Sequence, residues 1–345
     1  MKTTSIFDRW ADRAYSNIAF PLLRRLPGVN PLAVYYHIVS DARVPHVDNL
    51  YIFRNAAQFS RDLDVFARYY RPLALPDFLA CLRTEAALPK NSLLLTFDDG
   101  VRECHEVMAP ILKRKGIPAT FFLCSAFVDN REFPFDFKKS VLAGVLRQRQ
   151  LKPGQYSRLR QRLDQAGLRN PDLTEALLDV DYPRQEVLDP VAALLDYDLD
   201  AHLKNARPYL TSDQVRELLK EGHAIGAHSV DHPRYGDLTL DEQLRQTRQS
   251  VRFVKERFSL GYGALAFPSS DANISRRFFR EIMASGEVDI CFGNHGLLDD
   301  CVPRCIQRTT MEKTRRAAET ILGESYARRW LKRARGKLVI QRPPV

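Results

Sequence analysis

Short apolar stretches alternate with capped helical stretches along most of this 345-residue chain, and this rhythm constrains the fold more than any other feature. Leu32–Tyr36 (LAVYY), Leu93–Phe97 (LLLTF) and Ala119–Cys124 (ATFFLC) read as strands, as do His223–Ala227, Ala264–Phe267 and Val288–Phe292. Between them, Cys104–Lys115 reads as a helix stopped by Gly116. Thr211-Ser212-Asp213-Gln214 and Thr239-Leu240-Asp241-Glu242 match capping boxes that open two more helices, and Ser275 caps a further one. Strands alternating with helices predict a mainly parallel α/β sheet, closed or open.

Three segments depart from the rhythm. Residues 131–207 are helix-like, with VLAGVLRQRQL and YSRLRQRLDQAGL, and predict a helical insertion that either lids a βα loop or merely decorates it. Residues 1–30 read as an amphipathic helix, because Ile6, Trp10, Ala14 and Ile18 recur every fourth residue. Asp8, Asp12 and the Arg24-Arg25 pair interrupt any apolar run there, which argues against a secretory signal. That helix packs on the domain or lies on a membrane surface. Residues 311–345 carry ten Lys/Arg against three Glu, most of the chain's net charge of +10, and read as a basic tail.

The residual 1–310 body is nearly balanced in charge and offers no broad basic face, so nucleic acid is a poor partner. Arg328-Arg329-Trp330-Leu331-Lys332-Arg333 instead suits a solvated basic helix or peripheral contact with an anionic membrane. With 45% apolar and 27% charged residues, the chain is not a disordered or low-complexity sequence. Six cysteines without a C-x-x-C pair suggest a reducing, cytoplasmic setting. Cys301 and Cys305 lack a second pair to complete a structural metal site.

Two motifs carry chemistry. Thr96-Phe97-Asp98-Asp99-Gly100 follows an apolar strand, which puts two adjacent carboxylates where α/β enzymes build their active sites. Like charges so close require a cation or a shared proton. His228-Ser229-Val230-Asp231-His232 follows a later strand, with two imidazoles at i and i+4, a spacing that on a helical turn aims both at one ion. Two His and one Asp leave an open coordination position, as catalytic zinc sites do, and cobalt, nickel or iron would also fit. The spare carboxylate is then available as a base.

TFDDG followed by H-S-x-x-H on βα units resembles the NodB-type polysaccharide deacetylases of carbohydrate esterase family 4. The resemblance implies a distorted (β/α) barrel over residues 31–310 and removal of acetyl groups from N-acetylated sugars, as polymer or lipid-linked precursor. It implies Asp98 as general base and Asp99, His228 and His232 as ligands of a divalent metal. The family's Arg-x-Pro-Tyr motif is replaced here by Ala266-Phe267-Pro268-Ser269, leaving Pro268 and the Ser269 N–H to serve the oxyanion but no arginine to orient the base. Arg304 is a candidate for that missing cation.

The late Leu-x-His that carries the acid is also missing. His37, at the end of the first strand, resembles the acid of a circularly permuted subgroup, and His295 follows a late strand at nearly the usual place. A deformylase or other amide hydrolase on the same scaffold, and a glycan-binding barrel without turnover, are the alternative readings.

Overall fold

The computed structural model describes residues 20–24, 29–312 and 314–344. Its frame is a closed path of eight parallel strands: β1 (Leu32–Tyr36), β2 (Ser92–Phe97), β3 (Thr120–Leu123), β4 (Ala224–Ala227), β5 (Ala264–Ala266), β6 (Ile290–Gly293), β7 (Cys305–Gln307) and β8 (Thr309–Thr310), with the two-residue strand Arg71–Pro72 pairing with β2 off this path as a ninth. Strands β1 to β7 pair in chain order, and β8 pairs with β1 on its other side. One short segment therefore touches both edges, and the barrel closes across the single residue between β7 and β8, Arg308.

Strand alternation decides what fills the barrel. Ala33, Leu94, Phe122, Ala224, Ala264, Ala266, Ile290 and Phe292 form one buried cluster, joined by Leu75, Phe78 and Leu79 of a helix that precedes β2. The intervening residues Val34, Leu95, Phe121, Ile225 and Leu265 belong to the larger core beneath the outer helices. Small residues admit large ones: a Cβ on Gly226 would lie 2.4 Å from the Phe122 ring. Helix α1 (Ala56–Tyr69), with Asn55 and Gln58 as a complete capping box, covers the outer side of the sheet with Phe59, Leu63 and Phe66.

The segment after β3 contains helices α2 (Phe135–Gln148), α3 (Pro153–Gln165), α4 (Leu173–Leu178), α5 (Leu188–Leu194) and α6 (Leu199–Ala206). The insertion is tied to the loop after β1, where Ser140 Oγ donates to Pro45 O (2.9 Å) and Asn49 Nδ2 to Ser140 O (2.8 Å). It is thereby held over the C-terminal mouth of the barrel.

Ile6, Trp10, Ala14 and Ile18 lie outside the described residues, while Phe20–Leu23 forms one helical turn whose Phe20 ring meets Tyr69 edge-on at 5.1 Å. The basic tail is packed rather than free. Helix α7 (Ala318–Ala334) buries Ile321, Leu322 and Tyr326, and its Arg329 pairs with Asp299 at 3.0 Å. Further on, Val339–Ile340 pairs with Asp299–Asp300, and Arg342 reaches Asp271 and Asp300 at 2.5 Å each. Among the described residues, no helix is long and apolar enough to cross a membrane.

Candidate active site

The barrel mouth gathers residues from four strand ends. Asp98 continues the inward side of β2. Asp99 and Gly100 both adopt φ +71°, which turns the chain out of the strand and lays the Asp99 carboxylate across the mouth. This turn is braced by the exit of the insertion: Leu210 N donates to Gly100 O at 3.0 Å and Arg102 N to Pro208 O at 2.8 Å.

His228 and His232 meet Asp99, but not on a helical turn as their spacing suggests. The segment is a loop in which Ser229 (φ +70°) and His232 (φ +65°) are left-handed, and Ser229 Oγ accepts from His232 N at 3.0 Å. The imidazole centroids lie 5.2 Å apart. Asp99 Oδ1 is 3.5 Å from His228 Nε2 and 3.3 Å from His232 Nε2.

These three groups fit a divalent cation. Their candidate ligand atoms lie within 4.8 Å of one another. Asp99 Oδ1 is buried without a hydrogen-bond partner, a costly state that a cation relieves. His228 Nδ1 donates to Ala266 O at 2.9 Å, which leaves the Nε2 lone pair facing inward. Burial also pushes His228 down to about 4, so it is neutral at pH 7.

The other side of His232 faces the insertion. Asp136, in the first turn of α2, places Oδ2 3.5 Å from His232 Nδ1, and Lys139 pairs with its Oδ1 at 2.7 Å. The insertion thus contributes a carboxylate behind a candidate metal ligand, a role that nothing in its helical pattern announces.

The arginine that meets Asp98 is Arg308, not Arg304. Arg304 is exposed and precedes β7, at the end of the barrel opposite the carboxylates. Arg308 is fully buried at the seam. Its Nη1 donates to Asp98 Oδ1 at 2.7 Å and its Nη2 to Asp98 Oδ2 at 2.9 Å. Thr96 Oγ1 (3.0 Å) and Gly293 O (3.1 Å) accept the remaining bonds, and the guanidinium lies 4.6 Å from the Tyr35 ring centroid. Burial alone would raise the Asp98 pKa; the charge and hydrogen bonds of Arg308, with the neighbouring His228 and His37, together outweigh it and hold the carboxyl below its ordinary range.

Of the two candidate acids, only His37 lines the mouth. A half-open cavity of about 280 Å³ is bounded there by His37, Tyr51, Asp99, Asp136, His232 and Ser269, with Phe127, Phe137 and Tyr209 adding aromatic wall. His37 Nδ1 meets Glu312 Oε2 at 2.7 Å, and that carboxylate also accepts from the N–H of His37 (2.9 Å) and Ile38 (3.2 Å). Burial lowers the His37 pKa, but the Glu312 bond and charge prevail and lift it to about 9.

His295 is engaged elsewhere, with Nε2 3.2 Å from Asp271 Oδ1 and its N–H on Gln307 Oε1. Pro268 is buried and Ser269, at φ +53°, reaches the cavity. His105 pairs with Glu217 on the surface. Cys305 faces Asp271 and Asp300, where Arg342 already supplies the counter-charge.

The sequence shows the class, a hydrolase of the deacetylase kind. The pattern of the polysaccharide deacetylase family matches residues 85–278, more than half of the sequence, and the chain belongs to that family. Among curated proteins, none matches. Among solved structures, the fold is similar to a Streptococcus pyogenes deacetylase, PplD, in complex with acetate (TM-score 0.55, 14% identity, covering 86% of this chain and 98% of that one). It is also similar to IcaB from Ammonifex degensii (TM-score 0.52, 14% identity, 87% and 98%). A third is BC0361, a polysaccharide deacetylase from Bacillus cereus (TM-score 0.50, 11% identity, 86% and 68%).

Proposed function

We propose that this chain is a metal-dependent deacetylase of N-acetylated sugars. The observation that carries this reading is the orphaned Asp99 Oδ1 facing two imidazole nitrogens, beside a second carboxylate held in a fork by Arg308. Asp99, His228 and His232 would hold the ion, with zinc as the first candidate. Bound there, a divalent cation polarises an acyl carbonyl and lowers the pKa of water.

The chain's own groups supply the rest. Asp98, ionised and fixed by Arg308, takes a proton from the attacking water. The N–H of Ser269, which lines the cavity, would donate to the developing oxyanion. His37, kept protonated by Glu312, gives a proton to the leaving sugar nitrogen. The aromatic wall of Tyr51, Phe137 and Tyr209 offers a face to the sugar ring. An intact Asp98–Arg308 unit favours turnover over mere glycan binding, because holding a metal does not require a second carboxylate.

The domain reading that accompanies this is a barrel over residues 31–310 with a lid at 131–207. Six free cysteines support a cytoplasmic setting. A lipid-linked glycan precursor suits the tail: Leu22 and Leu331 are 67% and 58% exposed on helices that pack together, next to Arg328 and Lys332. Peripheral contact with an anionic leaflet follows, read by co-sedimentation with anionic vesicles at low salt.

The deciding experiment measures bound metal by plasma mass spectrometry on protein purified without a metal-affinity tag. Acetate release from N-acetylglucosamine oligomers is followed before and after chelation. One equivalent of metal with chelator-sensitive release is expected, and Asp98→Asn abolishes release while retaining the metal. Turnover that survives Asp98→Asn refutes the assignment of the base.

A further inference from the structure

A second cleft, of about 400 Å³, lies on the outer side of the barrel between α1 and the start of α7. Arg54, Arg61 and Arg68 from or beside α1 and Arg315 and Arg316 before α7 converge on it. Positions 54, 61 and 68 recur every seven residues, so the last two share one helix face.

The charges divide into those spent inside the protein and those left over. Arg54 is 2% exposed; its Nε lies 3.0 Å from Asp62 Oδ2 and its Nη2 donates to Arg316 O at 2.7 Å. Asp62 also accepts from Tyr36 OH at 3.0 Å. Asp64 is drawn away to Lys115 (2.5 Å), and Arg316 pairs with Glu324. Among the described residues, Arg61, Arg68 and Arg315 have no carboxylate within ion-pair distance, although Arg68 also lies 5.3 Å from the Tyr69 ring centroid. Glu319 is the one acid of the lining without an ion-pair partner. Three unpaired guanidiniums against one carboxylate leave the cleft with a surplus of two positive charges.

That surplus equals the charge of a phosphate monoester near neutral pH, about −1.5 to −2. Arginine forks match phosphate oxygens in geometry as well as charge. Like charges gathered in a concave surface repel one another, and an anion removes that repulsion. We propose that this cleft binds a phosphoryl or diphosphoryl group through Arg61, Arg68 and Arg315, over a floor set by the Arg54–Asp62 pair. The proposal does not depend on the deacetylase reading.

The test is calorimetric titration of the full chain at low salt. One arm uses inorganic pyrophosphate, the other dihexanoyl phosphatidic acid below its micelle concentration. Saturable one-to-one binding is expected in at least one arm, weakened tenfold or more in Arg61→Gln/Arg315→Gln with an unchanged circular dichroism spectrum. Binding of pyrophosphate alone assigns a soluble phosphate ligand; binding of both assigns a site open to a lipid headgroup. The control Arg328→Gln/Arg335→Gln removes the same charge elsewhere and retains binding. Absence of saturation in both arms, or equal weakening by the control pair, overturns the proposal.

Discussion

Replacing Arg308 by Met tests how the buried Asp98 carboxylate is held. The methionine roughly fills the aliphatic volume of arginine but removes both bonds to Asp98, at 2.7 and 2.9 Å. Asp98 is 2% exposed, so water does not take over. Stripping one partner from a buried pair costs about 3–5 kcal/mol. Near neutral pH, chemical denaturation of metal-free protein should show that loss as a lower midpoint at unchanged m-value.

The pH dependence has a definite sign. In the parent protein the folded-state pKa of Asp98 is depressed, so its contribution is present above the unfolded carboxyl value, about 3.9, and is lost as pH falls through the lower folded value. In Arg308→Met the folded pKa instead rises above the unfolded one, and the penalty shrinks on acidification as the carboxyl protonates. Arg308→Met combined with Asp98→Asn should recover part of the loss, with a coupling of about 2 kcal/mol or more in a double-mutant cycle. A cost for Arg308→Met below about 1 kcal/mol, or strict additivity in the cycle, would refute the claim that Arg308 sustains a buried carboxylate.

Three further outcomes are expected. Asp136→Asn removes the charge behind His232 and should weaken metal affinity about 10–100-fold in a chelator competition titration, with the fold intact. Glu312→Gln removes the main partner that lifts the His37 pKa to about 9; the part of the stability gap linked to His37, measured on metal-free protein, should be full below about pH 6.5 and be lost as pH rises past about 9. Arg342→Met strips Asp271 and Asp300 of their shared arginine and leaves them with neutral donors and His295 alone, so it should cost about 3–5 kcal/mol by denaturation. It should also accelerate hydrogen exchange around Ser269, which follows from Arg342 gripping Asp271 two residues away.

The six early strands were legible because each is an apolar run bounded by glycine, proline or a cap. The closing pair was not. Cys305–Gln307 and Thr309–Thr310 are short and polar, and their pairing depends on partners far away in the chain. That omission explains the error over the arginine: Arg308 reads as a surface residue until the seam places it inside the barrel. His228 and His232 were found by spacing, yet two left-handed residues rather than a helical turn bring them together. Asp136 sat in a helix first turn, where acids are ordinary and carry no functional signal. Glu312 fell just beyond the boundary drawn for the barrel, although its carboxylate fixes His37.

Closure through Arg308 has a consequence for biogenesis. Asp98 and its counter-charge are 210 residues apart, and the intervening chain includes the entire helical insertion. During vectorial synthesis the aspartate, the insertion and both imidazoles leave the ribosome before the arginine does. A nascent chain stalled within that interval can bury its apolar strands but carries Asp98 without its arginine fork. The buried Asp98–Arg308 pair therefore forms late, at the moment when the last staves of the barrel meet the first.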